Sequence, residues 1–177
     1  IDTLHDGDIE IAAPSAIAME KESGEVIYEK NAHERMAPAS VTKVMTLLLI
    51  IEAVDRGDIS LEDTVTASAR AASFGGSCVF LEEGEQMSVL DCLYGMLLAS
   101  ANEVAQGLGE HISGNLTTFA ALMNQRARQL GAVNTHFVNP HGLYAPEHYT
   151  CCYDMALFMT EAMEHQTLTE VMGTERY

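Results

Sequence analysis

The chain has 177 residues, which suits one domain or a large part of one, and with 47% of them hydrophobic it can bury a core. A formal charge of -17 argues against nucleic acid or an anionic membrane surface as partner, since either would repel it. No apolar run reaches the length of a membrane span. The stretch Ile1 to Asp8 lacks the basic and apolar parts of a signal peptide, so a targeting segment is expected outside this sequence.

In chain order, Ser15 to Glu20 and Glu25 to Glu29 are strand-like runs separated by the turn cluster Lys21-Glu22-Ser23-Gly24, which reads as a hairpin. Asn31 to Pro38 is polar and irregular. Pro38 to Val54 then reads as the start and body of one buried helix. Val44, Leu47, Leu48 and Ile51 recur at helical spacing, the opposite side carries Met45, Leu49 and Ile50, and Arg56-Gly57 closes the helix.

This helix sets Ser40 three residues before Lys43, so both side chains share one face. A lysine in a core loses solvation of its charged form, its pKa falls, and the neutral amine can take the proton of the serine hydroxyl. Ser40 also stands at a helix start, where unpaired N–H groups favour developing negative charge. The same spacing also fits a serine N-cap followed by a solvated lysine. A second motif has to decide between them.

Ser60 to Asp63 has the character of a capped turn, Thr64 to Thr66 is briefly extended, and Gly75-Gly76-Ser77 and Glu83-Gly84-Glu85 are loops on either side of Cys78 to Leu81. Ser88 with Asp91 resembles a capping box and opens a helix through Leu93, Met96 and Leu97. That helix leads to Ser100-Ala101-Asn102, where two polar side chains at a break between helices can point the same way. Gly107 and Gly109 in the next segment cost helix stability and so suggest close packing against a neighbour.

A further helix, roughly Leu116 to Leu130, buries Phe119, Leu122, Met123, Ala127 and Leu130, ends at Gly131, and carries Arg126 and Arg128 as surface charges. Thr135 to Val138 is a short extended piece. Asn139 to Tyr149 is a loop rich in turn formers, and Thr150 caps a last helix through Tyr153, Met155, Ala156, Met159 and Met163. Past His165 the periodicity fades.

Cys78, Cys92, Cys151 and Cys152 lack the C-x-x-C spacing of a zinc or redox site and are expected as free thiols. His141, His148, Cys151 and Cys152 cluster in sequence. Adjacent cysteines seldom both reach one metal, so no metal site is expected there.

Ser40-Val41-Thr42-Lys43 followed by Ser100-Ala101-Asn102 resembles the first two active-site motifs of the penicilloyl-serine transferase superfamily. With Pro38 to Thr46, the Gly75-Gly76-Ser77 loop, Phe80 to Glu85 and Asn134 to Leu143 in the same order, the wider sequence is similar to low-molecular-mass penicillin-binding proteins, the serine-type D-alanyl-D-alanine carboxypeptidases. The resemblance implies an α+β, β-lactamase/transpeptidase-like fold, with a helical subdomain packed on an antiparallel sheet. Residues 1–177 form one incomplete catalytic domain on this reading, with a hairpin at about 15–29 and a helical subdomain at about 38–165.

The resemblance further implies that Ser40 is the nucleophile and Lys43 its general base. Ser100 relays a proton to the leaving D-alanine, and Asn102 binds the substrate amide. The partners would be a peptidoglycan stem peptide ending in D-Ala-D-Ala and β-lactam antibiotics, with no metal or organic cofactor. Location would be extracytoplasmic, at the cell wall, with a membrane tether only through a C-terminal segment absent from this sequence.

The family's third motif, Lys-Thr-Gly on a later strand, has no counterpart, because the only lysines are Lys21, Lys30 and Lys43. The later strands are therefore expected to be missing and the hairpin edge and adjoining apolar residues uncovered. Self-association or pairing with the missing C-terminal piece would relieve that exposure. A class A β-lactamase is a poorer match, since Glu147-His148-Tyr149-Thr150-Cys151 does not fit its Glu-x-x-Leu-Asn loop. A non-catalytic penicillin-binding or assembly module of the same fold is the alternative of another class.

Overall fold

The computed structural model describes residues 11–177, so the Ile1 to Asp8 stretch read above lies outside the described residues. Strands β1 (Ala16–Met19) and β2 (Val26–Lys30) form the expected antiparallel hairpin. Its turn is tied by the Glu20 carboxylate, which accepts from the amides of Glu22 and Ser23 at 3.1 and 2.6 Å. Among the described residues neither edge of the hairpin carries a further strand.

Helix α1 (Lys43–Asp55) follows a single 3-10 turn over Ala39–Thr42. The turn is a difference from the uninterrupted helix expected from Pro38: Ala39 has a φ of 48°, which an α-helix does not admit. Met45, Leu47, Leu48, Ile50 and Ile51 are buried, as a helix apolar all round requires.

Strand β3 (Thr64–Thr66) pairs antiparallel with β4 (Gln86–Ser88), and the short helix α2 (Ala69–Ala72) lies between them. Ser88 caps α3 (Val89–Leu98) by accepting from the amide of Asp91 at 3.0 Å. Helix α4 (Asn102–Ser113) is the small-residue helix at the centre. A Cβ on Gly109 would stand 3.2 Å from Phe119, so the close approach of α5 (Leu116–Gln129) uses the lack of a side chain at that position. On α5, Phe119, Met123 and Ala127 are buried.

Helix α6 (Cys152–Ala162) packs on α1 and on the hairpin, and α7 (Gln166–Met172) completes the chain where periodicity had faded. Leu168 and Val171 anchor α7 in the same core as Phe119, Phe137 and Phe158. The cap of α6 is Cys151, whose sulfur accepts from the amide of Asp154, and not Thr150. Thr150 is instead held outside the helix by backbone bonds to Met36 and a hydroxyl contact to Thr135.

The four cysteines are free. Arg126 differs from the surface charge expected of it: half-buried, it donates to Glu52 on α1 at 2.7 Å and to Glu161 on α6 at 2.5 Å, tying three helices together.

Candidate active site

The site is built on the first turn of α1. Lys43 is buried, and its Nζ has four oxygens in reach: Ser40 Oγ and Ser100 Oγ at 3.3 Å each, Asn102 Oδ1 at 2.9 Å, and the carbonyl of His141 at 2.9 Å. Two of these, the amide and carbonyl oxygens, can only accept. The other two are hydroxyls, which can donate as well. A neutral amine has two N–H groups and one lone pair. Its N–H groups match Asn102 and His141, and the lone pair is left for a serine O–H. Loss of solvation brings the Lys43 pKa down to about 8, and the negative charges available at Cys78 and Glu103 offset only part of that effect.

Each partner is fixed by its own element. Ser40 lies in the 3-10 turn, with its side chain exposed to the cavity in front of it. Ser100 occupies the joint between α3 and α4 with a φ of 54°, a strained value for a non-glycine residue that aims its hydroxyl at Lys43. Asn102 begins α4. Its side-chain amide donates to the carbonyl of Gly75 at 3.0 Å, and its backbone amide donates to Ser77 at 2.9 Å, so the glycine loop is pinned to the site.

The Asn139 to His148 loop forms the opposite support. Thr46 donates to the carbonyl of Pro140 at 2.7 Å, and Lys43 bonds to that of His141. Val138 donates its amide to Nδ1 of His148 at 3.0 Å, which leaves the proton on Nε2 to donate to Thr42 Oγ1 at 2.8 Å. Burial holds both His141 and His148 at a pKa of about 4, so both stay neutral across the working range of a cell.

Gly142 makes this approach possible. Its φ is 86°, and a Cβ there would fall 1.8 Å from the carbonyl oxygen of Ala39, inside the backbone that precedes Ser40. Asn139 fixes the turn by accepting from the amides of His141 and Gly142 at 3.2 and 2.7 Å.

All four residues singled out from sequence, Ser40, Lys43, Ser100 and Asn102, therefore meet at one amine. The sequence reading missed the His141 carbonyl and the Thr42–His148 bond. Asn139-Pro140-His141-Gly142 was legible as a turn, but a backbone acceptor leaves no residue-specific trace. His148, Cys151 and Cys152 do not join His141 in one cluster: His148 is spent on Thr42, Cys151 caps α6, and Cys152 accepts from Ser15.

In front of Ser40 lies a cavity of about 330 Å³ lined by Ser77, Asn102, His141, Gly142 and Tyr144. On the other side of the same turn, Ile17, Met36, Val41, Val44, Met155 and Met159 line an apolar groove of about 520 Å³.

The model of the D-alanyl-D-alanine carboxypeptidase family matches residues 2–177. The chain belongs to this family. D-alanyl-D-alanine carboxypeptidase DacF of Bacillus subtilis is 46% identical over 162 residues, covering 92% of this chain and 42% of DacF. The crystal structure of the family member DacD from Francisella tularensis superimposes with a TM-score of 0.90 at 37% identity, covering 93% of this chain and 40% of that one. Penicillin-binding protein D2 from Listeria monocytogenes, solved in an ampicillin-bound form, gives 0.80 at 29% identity over 90% of this chain and 65% of that one. The α+β fold is thus that of penicillin-binding carboxypeptidases, and the chain spans less than half the length of DacF and DacD.

Proposed function

We propose that this chain carries the nucleophile side of a serine D,D-carboxypeptidase that removes the terminal D-alanine from peptidoglycan stem peptides and is acylated by β-lactams. The observation that carries this reading is the Lys43 amine, buried, bonded to neutral oxygens only, and in reach of two serine hydroxyls. Ser40 Oγ attacks the carbonyl of the D-Ala-D-Ala bond while its proton passes to Lys43. As the tetrahedral intermediate collapses, the proton moves from Lys43 through Ser100 Oγ to the departing amine, and an ester on Ser40 remains. Water then attacks the ester, giving its proton to the same amine, and Ser40 recovers a proton as the acid leaves.

The amide of Ser40 supplies one oxyanion donor, a kind of contribution often worth ~3 kcal/mol. Asn102, whose oxygen steadies Lys43 and whose amide faces Gly75, orients the substrate amide beside them. The second oxyanion donor and the cation for the substrate carboxylate belong to the part of the catalytic domain outside this sequence. The apolar groove along Val41, Val44 and Met159, together with the hairpin edge that carries no further strand among the described residues, is where that remainder packs. Activity takes place outside the cytoplasmic membrane, at the cell wall. In isolation the 177-residue chain is expected to be inactive, and to self-associate or bind its C-terminal piece.

The test is to treat the full-length protein with penicillin and map the labelled peptide. Label is expected on Ser40. Label on Ser100 overturns the assignment of roles, and a full-length protein with no label favours the alternative, a non-catalytic assembly module of this fold.

A further inference from the structure

The cavity in front of Ser40 does not end at its rim. His141, Leu143 and Tyr144 also line a second cavity of about 430 Å³, completed by Arg70, Phe74 and the start of α5 at Asn115 to Thr117. One wall therefore separates the reacting centre from an adjoining space. Tyr144 on that wall is 81% exposed, which places an aromatic surface where a bound chain would cross.

Arg70 is the feature of the second cavity that calls for a ligand. The protein has nine Lys and Arg against 26 Asp and Glu, so carboxylates able to pair with a cation are plentiful. Lys21, Arg56 and Arg126 are in ion pairs. Lys43 is in the site, Lys30 bonds to the carbonyl of Ile11, and Arg35 bonds to Asn134. Arg128 and Arg176 are also without an ion pair among the described residues, but they line neither cavity. Arg70 makes no ion pair or side-chain hydrogen bond among the described residues, although its charge is felt at His141, the residue shared by both cavities. A guanidinium kept free beside a cleft is built for a planar carboxylate, which it meets with two parallel bonds.

We infer that Arg70 marks a subsite for a carboxylate on the acyl side of the scissile bond, carried by the residue that precedes D-Ala-D-Ala. The inference rests on the carboxypeptidase reading above. The C-terminal carboxylate of the substrate is a poor candidate for Arg70. It belongs to the residue next to the attacked carbonyl, and consecutive Cα atoms are ~3.8 Å apart, so it stays within the catalytic cavity, which Arg70 does not line. In a carboxypeptidase only one residue leaves, and the rest of the peptide extends from the acyl side. The second cavity is the space on this chain that such an extension can enter over Leu143 and Tyr144. Arg70 thus sets substrate preference and takes no part in the bond-breaking step.

The experiment compares N-acetyl-L-glutamyl-D-alanyl-D-alanine with its glutamine counterpart on the full-length protein, its Arg70→Gln variant and its Arg70→Glu variant. Release of D-alanine gives kcat/KM, and titration onto each protein carrying Ser40→Ala in addition gives Kd without turnover. The parent is expected to prefer the glutamate peptide about fivefold in both measurements, Arg70→Gln to bring the two peptides level, and Arg70→Glu to reverse the order. Raising the salt concentration should shrink the parent's preference. Turnover with the same peptide ratio in all three proteins overturns the subsite and leaves the carboxypeptidase reading intact. Binding that prefers glutamate only when Arg70 is present, with no turnover of either peptide, supports the subsite and overturns that reading. Absence of both binding and turnover overturns the two together.

Discussion

Helix α1 has a cation at each end, Arg126 of α5 at one and its own Lys43 at the other, and the two are treated in opposite ways. At the C-terminal end Arg126 is held by Glu52 and Glu161, while His165 is bonded to Asp55 at 2.6 Å beside them. Its charge is matched and the cluster joins α1, α5 and α6. At the N-terminal end Lys43 is surrounded by oxygens without any carboxylate among its bonded partners. The nearby carboxylate, Glu103, is turned away, accepting from the amides of Val79 and Phe80 at 2.6 and 2.8 Å. A half-buried and a buried cation thus give a structural clamp in one case and, in the proposed function, a base in the other. The difference is whether a carboxylate is allowed to close on the charge.

The strongest way to break this comparison is to force a permanent charge at the catalytic end. Lys43→Arg in the full-length protein keeps a cation but removes a group able to lose its proton, so acylation by penicillin should fall by at least about a thousandfold. Stopped-flow acylation checks it. A rate within tenfold of the parent would show that the base lies elsewhere.

A smaller effect is expected from removing the clamp. Arg126→Ala leaves Glu52 and Glu161 facing each other without their cation, and with both only partly buried the loss of stability should be about 1–3 kcal/mol. Denaturant unfolding measures it. The pH midpoint of acylation should stay where it is, because nine residues of helix put Glu52 about 14 Å along the axis from Lys43. A midpoint that moves would mean that the two ends are coupled and the comparison is false.

Much of the Lys43 end was legible in the sequence alone. Ser40 and Lys43 are one helical turn apart, and Ser100 and Asn102 are two residues apart at a helix joint, so local geometry alone brings each pair together. The apolar helix that buries Lys43 announces itself by periodicity. The clamp was not legible, since Arg126, Glu52 and Glu161 lie on three helices and an arginine on an amphipathic helix looks like any solvated charge until its neighbours are known. For the same reason the His141 carbonyl and the Thr42–His148 bond escaped: each depends on a loop folding back over many residues. The Cys151 cap is local, and was missed because a thiol is a weak acceptor and Thr150, a better cap by type, stands beside it. Strand β4 and helix α2 are too short for a pattern of three or four residues to stand out. Beyond His165, only Leu168 and Val171 on α7 reach the core, too few to set a period.

The finest test concerns Glu103, the carboxylate held near Lys43 without touching it. With the Lys43 pKa at about 8, roughly one tenth of the amine is neutral at pH 7, against about three in ten thousand for an ordinary lysine. Acylation should therefore rise about tenfold from pH 6 to pH 7 and level off above pH 8. The same depressed pKa makes the unfolded chain bind more protons between about pH 8 and the ordinary value of 10.5. Lys43 therefore costs stability fully below pH 8, and the cost is relieved as pH rises through that window. The charge of Glu103 raises the Lys43 pKa by a small amount. Glu103→Gln keeps an acceptor for the Val79 and Phe80 amides and removes that charge. The ammonium form loses support, and the acylation midpoint should move down by about a few tenths of a pH unit, with the rate at pH 6 rising up to about threefold. A midpoint that moves upward would mean that Glu103 acts on Lys43 through the Val79–Phe80 backbone and not through its charge.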